Sequence, residues 1–267
     1  MEVKVIEQPK IYLMGAMAKP EIRILDDSEL TGPLSFDMEE TKHYEKRPMD
    51  ERGHVWAEDL VEYAGRLCYM SYDNRRPGGN SAYIAHIKEV GHGSVCEHAV
   101  FSFVFTGVSR SLTHELIRHR AGWSYSEVSQ RYVDLSDVSF VIPPAFIGQT
   151  ELTAEWKAAC AESLAAYQSI CDTMTRHFPK MPRKEVRQSA RSVLPNCVET
   201  KIACTVNARA LRHFFELRGS LHADAEIARL AVRLCKMMRE YAPNLFGDYE
   251  VLCEDGREWI DTKYKKV

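Results

Sequence analysis

"AVFSFVFTGVSRSLTHELIRHR", residues 99–120, joins two hydrophobic periods in one short stretch. Phe101, Phe103 and Phe105 alternate with Val100 and Val104, the period-two pattern of a strand. Apolar residues on both sides predict a strand whose two faces are both covered. From Val108 the period lengthens. Val108, Leu112 and Leu116 recur every four residues and predict a helix that runs into Arg118, His119 and Arg120, with Gly122 as its stop. A strand feeding a helix with a cationic end is the unit around which the rest is arranged.

Upstream, "VKVIEQPKIYLMGAM" (residues 3–17) reads as one or two short strands, and residues 19–55 as a charged, irregular insertion or surface arm. From Trp56 the pattern is helical, with Leu60, Ala64, Leu67 and Cys68 on one face. Tyr83, Ile84, Ile87 and Val90 mark a short helix closed by Gly91. Downstream, Trp156, Cys160, Leu164, Tyr167, Cys171, Met174 and Phe178 stripe a long helix that ends before Pro179. "RKEVRQSARSV" (183–193) is a further helix, and Val198, Ile202, Cys204 and Val206 alternate as a strand. "ARALRHFFELRGS" (208–220) and "DAEIARLAVRLCKMMREY" (224–241) close the chain as helices. With no repeat or linker, the expectation is one α+β domain over residues 1–267, with helices dominating.

The 267 residues are 45% hydrophobic and carry a formal charge of −3. That is ample core material, and it argues against a broad nucleic-acid-binding surface, which needs a basic face. Any anion site must be local. "MEVKVIEQPK" lacks the apolar core of a signal peptide and no run reaches membrane-spanning length, so a cytoplasmic protein with no membrane partner is expected. The eight cysteines are scattered with no C-x-x-C pair, as free thiols in a reducing cytosol would be.

Local positive charge is what residues 116–132, "LIRHRAGWSYSEVSQRY", supply. Arg118, Arg120 and Arg131 stand among Ser124, Ser126 and Ser129, with Glu115 and Glu127 as the nearby acids. Guanidinium forks bind phosphate bidentately and stay charged at any working pH. Arg187, Arg191, Arg209, Arg212 and Arg218 add cations downstream. A salt-bridged surface helix is the plainer account of the same residues. "HELIRH" nearly spells a zinc-protease motif, but His114 and His119 are five apart, which turns the second imidazole about 140° round a helix. No metal is expected. Ser129 has no G-x-S-x-G elbow and no assignable base, so its hydroxyl is read as a ligand contact. No Gly-rich phosphate loop supports a Rossmann or P-loop fold. The residues alone thus point to a site for a phosphorylated or dinucleotide ligand. A non-catalytic nucleotide- or RNA-phosphate-binding protein and a metallohydrolase are the competing readings.

"RHRAGWSYSEVSQRY" (118–132), "HGSVCEH" (92–98) and "RQSARSVLPNCVETKIACTVNARALRHFFELRGSLHADAEI" (187–227) closely resemble the flavin-dependent thymidylate synthases. The similarity runs from about Leu60 to Met238. One departure is local: Ala121 to Val128 puts one residue more than the family's usual spacing between Arg120 and Ser129. The resemblance implies the thymidylate synthase-complementing protein fold with a central, mostly antiparallel sheet. It also implies dTMP synthesis from dUMP, with methylenetetrahydrofolate as one-carbon donor and FAD reduced by NADPH. By the same resemblance Ser94, Arg118, His119, Arg120, Glu127, Asn207, Ala208, Arg209 and His213 would contact FAD. Glu115, Leu116, Ile117, Arg118, Glu127, Val128, Ser129, Gln130, Arg131, Arg191 and Arg218 would hold dUMP. Arg218 would be the activating residue, and His92 would lie on the folate side. A homotetramer with shared active sites is implied too, and no nucleic-acid partner.

Overall fold

The computed structural model describes residues 2–16, 56–74 and 77–267; the 19–55 segment lies outside the described residues. Two N-terminal strands, β1 (Lys4–Ile6) and β2 (Lys10–Ala16), precede helices α1 (Trp56–Leu67) and α2 (Gly79–Glu89). A 3-10 turn, Gly93–His98, leads into β3 (Val100–Ser109) and α3 (Arg110–Leu116). Then come β4 (Trp123–Glu127), β5 (Ser139–Val141) and the long α4 (Thr150–His177). Helix α5 (Arg183–Ala190), β6 (Glu199–Asn207), α6 (Ala208–Arg218) and α7 (Ala225–Tyr241) follow. A short α8 (Pro243–Phe246) and the hairpin β7 (Glu250–Glu254) and β8 (Arg257–Asp261) end the chain. Among the described residues no helix is long and apolar enough to cross a membrane.

The central sheet has the order β2-β3-β6-β4 and every pairing in it is antiparallel. Its register brings Phe105 opposite Ile202, Phe103 opposite Cys204 and Phe101 opposite Val206, with Trp123 and Tyr125 continuing the same face from β4. That face packs with Leu211, Phe214 and Phe215 of α6 and Leu230, Leu234 and Met238 of α7 in the main core. The other face is only half covered in the single chain: Ala203 and Thr205 are exposed, and the Ser102 and Thr205 hydroxyls bond across strands at 2.8 Å. The expectation of two covered faces therefore holds for one face only. A smaller cluster, built on Phe140, Cys160, Leu164, Tyr167 and Val198, seats α4 on the parallel β1-β5 pair.

Two other expectations are corrected. The helix after β3 stops at Leu116 rather than Gly122, and Trp123–Glu127 forms an edge strand that pairs with β6. Helices do not close the chain; the β7-β8 hairpin does, turning on Asp255 (φ 49°) and Gly256 (φ 78°). That hairpin is part of the core. Ile260 N donates to Gly219 O at 2.8 Å, and Gly219 sits so close that a Cβ there would come 2.4 Å from Ile260 Cδ1.

One buried polar network ties the hairpin end to α2 and α6. Arg212 donates from Nη1 and Nη2 to the two Asp248 oxygens, each at 2.8 Å, and also to Leu245 O and Tyr264 O. Lys88 Nζ reaches Asp248 Oδ1 at 2.6 Å and Thr262 Oγ1 donates to Oδ2 at 2.6 Å. Arg212, counted in the sequence among possible phosphate ligands, is thus a core residue. Its carboxylate is built in.

Candidate active site

Asn207 is both the last residue of β6 and the N-cap of α6, its side chain accepting from Ala210 N at 2.8 Å. Strand and helix therefore meet with no loop between them, and α6 carries Arg218 at its far end. The chain between α3 and β4 crosses this junction. Gly122 adopts φ 73°, and a Cβ on it would stand 2.6 Å from Asn207 Nδ2 and 2.7 Å from Ala210 Cβ. Left-handed backbone and a close approach both demand glycine here. Gly122→Ala is expected to cost about 1–3 kcal/mol by overpacking, seen as a lower midpoint in chemical denaturation.

At the C-terminal end of α6, three side chains from two segments converge. Arg218 Nε donates to His119 Nε2 at 3.0 Å, and Arg218 Nη1 reaches Glu115 Oε2 at 2.5 Å. His119 is 9% exposed and packs edge-on to Phe214 (5.3 Å between centroids), with His213 at 6.1 Å and Trp123 at 6.3 Å. Burial first, then the Arg218 cation and His213, push the His119 pKa down to about 4. The ring is neutral at neutral pH, and accepting from Arg218 places its proton on Nδ1. The Tyr125 hydroxyl lies 2.9 Å from Leu116 O and 2.7 Å from His119 O, pinning the turn that carries His119.

The other expected residues fall into three neighbouring groups. Arg118 and Arg120 are exposed on the turn after α3, and Arg118 Nε donates to His114 O at 3.2 Å. Neither makes an ion pair among the described residues. Because His119 lies beyond the helix end, the near-miss zinc motif is not on one helix, and no group of three metal-ligating side chains is gathered among the described residues. Arg209, beside Ala208 in the first turn of α6, pairs with Glu97 at 2.7 Å. Glu97 belongs to the 3-10 turn that presents the exposed Ser94, with His92 as its N-cap. Glu127 accepts from Thr113 Oγ1 at 2.9 Å and pairs with Arg110 at 3.1 Å.

The third group holds Ser129, Gln130, Arg131 and Arg191. Val128 N extends the β4-β6 ladder to Lys201 O, and Ser129 O then accepts from Tyr132 N and Val133 N in a tight turn. Arg187 braces that turn through Tyr132 O at 2.7 Å and Asp134 at 2.9 Å, so it is a support, not a free phosphate ligand. Arg191 opens the 3-10 turn that follows α5, one helical turn beyond Arg187. Among the described residues no hydrogen bond or ion pair joins this group to the Arg218 cluster within one chain. Leu116 and Ile117 end α3 between the groups, Leu116 buried and Ile117 exposed.

Sequence reasoning missed Arg110, Thr113 and Tyr125. Tyr125 had a signal, since Trp123, Tyr125 and Glu127 alternate with two serines. Arg110 and Thr113 had none, because their shared partner Glu127 lies across the sheet edge.

Comparison with known proteins gives the family. Residues 54–244 match the family model "Thymidylate synthase complementing protein". A flavin-dependent thymidylate synthase of Mycobacteroides abscessus is 47% identical over 207 residues, 74% of this chain and 82% of that protein. The enzyme of the same name from Mycobacterium bovis (strain BCG) is 45% identical over 207 residues, again 74% and 82%. Among solved structures, the UMP/dUMP methylase PolB from Streptomyces cacaoi, bound with 5-Br dUMP, shares the fold with a TM-score of 0.66. It is 19% identical and the match covers 92% of this chain and 96% of that one. The chain belongs to the thymidylate synthase complementing protein family, the flavin-dependent thymidylate synthases.

Proposed function

We propose that this chain makes dTMP from dUMP, with methylenetetrahydrofolate as one-carbon donor and NADPH-reduced FAD as hydride source. The observation that carries the reading is Arg218, a guanidinium oriented by two acceptors, His119 and Glu115, in a chain of this family. Uracil is a poor carbon nucleophile. A guanidinium held against its ring stabilises negative charge that develops there as it reacts. Neutral His119 fixes Nε without adding a second cation, while Glu115 holds Nη1 through its carboxylate and Nη2 through its backbone oxygen at 3.4 Å, so the whole guanidinium plane is set.

The residues present suit FAD. Its pyrophosphate needs cations with no carboxylate of their own, and Arg118 and Arg120 on the exposed turn are such cations. Trp123 Nε1 is buried with no acceptor, an orphan donor beside His119. Asn207 lies against Gly122 of that turn and His213 beside His119, while Ala208, Arg209, Glu127 and Ser94 would complete the flavin contacts. FAD, when bound, supplies the redox chemistry; the chain's part is to bind, orient and exclude water. Ser129, Gln130, Arg131 and Arg191, with the Glu115–Ile117 and Val128 backbone, would take dUMP, and His92 the folate side. The protein would work in the cytosol as one domain, without nucleic-acid or membrane partners. A homotetramer with shared sites is part of the proposal, supported by the separation of the Arg191 and Arg218 groups within a chain. Two anionic ligands then meet separate arginines from more than one subunit.

The test is an absorbance spectrum. Purified protein with added FAD is expected to retain a yellow flavin band that bleaches anaerobically on NADPH addition. A protein that holds no flavin at saturating FAD, yet binds nucleotide or RNA phosphate, would replace this reading with the non-catalytic one.

A further inference from the structure

Away from these residues, a cavity of about 600 Å³ opens between α7, the turn of the β7-β8 hairpin and the β1-β2 connection. None of the residues assigned to dUMP, FAD or folate lines it. Arg229 and Arg233, one turn apart on α7, and Arg257 at the start of β8 do. Small side chains on the same helix face, Ala225 and Ala228, leave the room in front of them. The volume lies within the roughly 300–1,000 Å³ typical of small-molecule sites.

Among the described residues the arginines of this cavity have no carboxylate bonded to them. Elsewhere the chain supplies a carboxylate for each deeply buried guanidinium, Glu62 for Arg66 and Asp248 for Arg212. Here none of the three arginines makes an ion pair among the described residues. Arg233 Nη1 donates to the neutral Gln8 Oε1 at 3.2 Å, and Arg257 Nη2 to Ala223 O at 2.6 Å. Arg229 Nη1 is buried with no acceptor among the described residues. Two carboxylates lie nearby, but Glu258 is taken by Lys236 at 2.5 Å, which leaves Asp255 alone against three cations. Cations at i and i+4 on a helix repel each other, and a buried donor without an acceptor costs stability. An anion in the cavity removes both penalties. The N-terminus of α7 is already capped by Asp224, which accepts from Glu226 N at 2.9 Å, so the arginines themselves are the donors.

We infer that this cavity is a second anion site, separate from the reaction site, for a small phosphate-bearing molecule. Its phosphate would lie between Arg229, Arg233 and Arg257, with Ala228 and Val232 as an apolar floor for an uncharged portion.

Inorganic pyrophosphate is a suitable probe, titrated calorimetrically into the full chain saturated with FAD and dUMP so that the anion sites proposed for those two ligands are filled. One pyrophosphate per subunit is expected in the parent. Arg229→Gln combined with Arg233→Gln should weaken it at least tenfold, while the flavin spectrum and dTMP turnover stay within twofold of the parent. If the double variant does not fold, Arg233→Gln alone, at an exposed position, should still weaken binding about threefold or more. No binding in the parent, or equal binding in parent and variant, overturns the inference. A chain that retains no flavin but binds pyrophosphate through these arginines would remove the proposed function and leave this site standing.

Discussion

Arg218→Ala is expected to lower dTMP formation by at least about 10²–10³-fold, the scale of losing one preorganised donor to developing charge. Flavin binding should survive, because Arg118 and Arg120 lie on another segment and Asn207 and Arg209 stand at the opposite end of α6 from Arg218. The loss should appear in kcat as well as kcat/KM, since the contact matters most in the transition state. Arg218→Lys should recover little. The native side chain uses Nε toward His119 and Nη1 toward Glu115 at once, and a single ammonium cannot span both acceptors and still face the substrate. Turnover within tenfold of the parent, measured at saturating dUMP with flavin content checked by absorbance, would move activation to another residue.

The largest expected stability effect is far from the chemistry, at Asp248. This carboxylate is 6% exposed and receives Arg212, Lys88 and Thr262. Asp248→Asn turns one acceptor oxygen into a donor facing other donors and leaves two buried cations short of charge. Breaking a buried pair from one side costs about 3–5 kcal/mol. Thr262→Val, which removes the bond to Asp248 and the one the hydroxyl accepts from Tyr264 N, should cost about 1–3 kcal/mol and gives a graded control. The pH dependence has a definite sign. Burial alone would raise the Asp248 pKa, but the Arg212 bonds and charge, with Lys88, outweigh it and hold it down to about 2 against an ordinary 3.8. A depressed carboxylate stabilises the fold above its unfolded pKa, and that contribution fades as pH falls from about 4 toward 2. Denaturation midpoints followed from pH 7 to pH 3 should therefore drop in the parent, with this component missing from Asp248→Asn. An unchanged midpoint at pH 7 would refute the account of the network.

Much of this architecture is legible in local pattern. The alternating phenylalanines of β3 and the even spacing of β6 mark the two central strands, and α4, α6 and α7 follow from their apolar stripes. Where local pattern misleads, a distant partner decides. Trp123–Glu127 is five residues long with two serines, too short for its alternation to declare a strand alone, and it is one because β6 offers it an edge. Ile117 continues the apolar pattern of α3, and the helix ends there regardless as the turn carries His119 to Arg218. Two misses were avoidable. Asp255-Gly256 between Leu252 and Trp259 is a hairpin signal. Ala208, Leu211, Arg212 and Phe215 share one helix face, so spacing alone puts Arg212 in the core while Arg209 points out. The Arg218–His119–Glu115 contact was beyond reach from spacing, since about a hundred residues separate its halves and only folding brings them together.

The hairpin that closes on Gly219 gives the reaction a mechanical stop. Arg218 is the last residue of α6, where helices fray most easily. β8 bears directly on the next residue, so the final turn cannot unwind and swing the guanidinium away unless the hairpin first lets go. The family match ends at residue 244, before this part begins. The brace on the helix end that holds Arg218 thus comes from outside the matched segment.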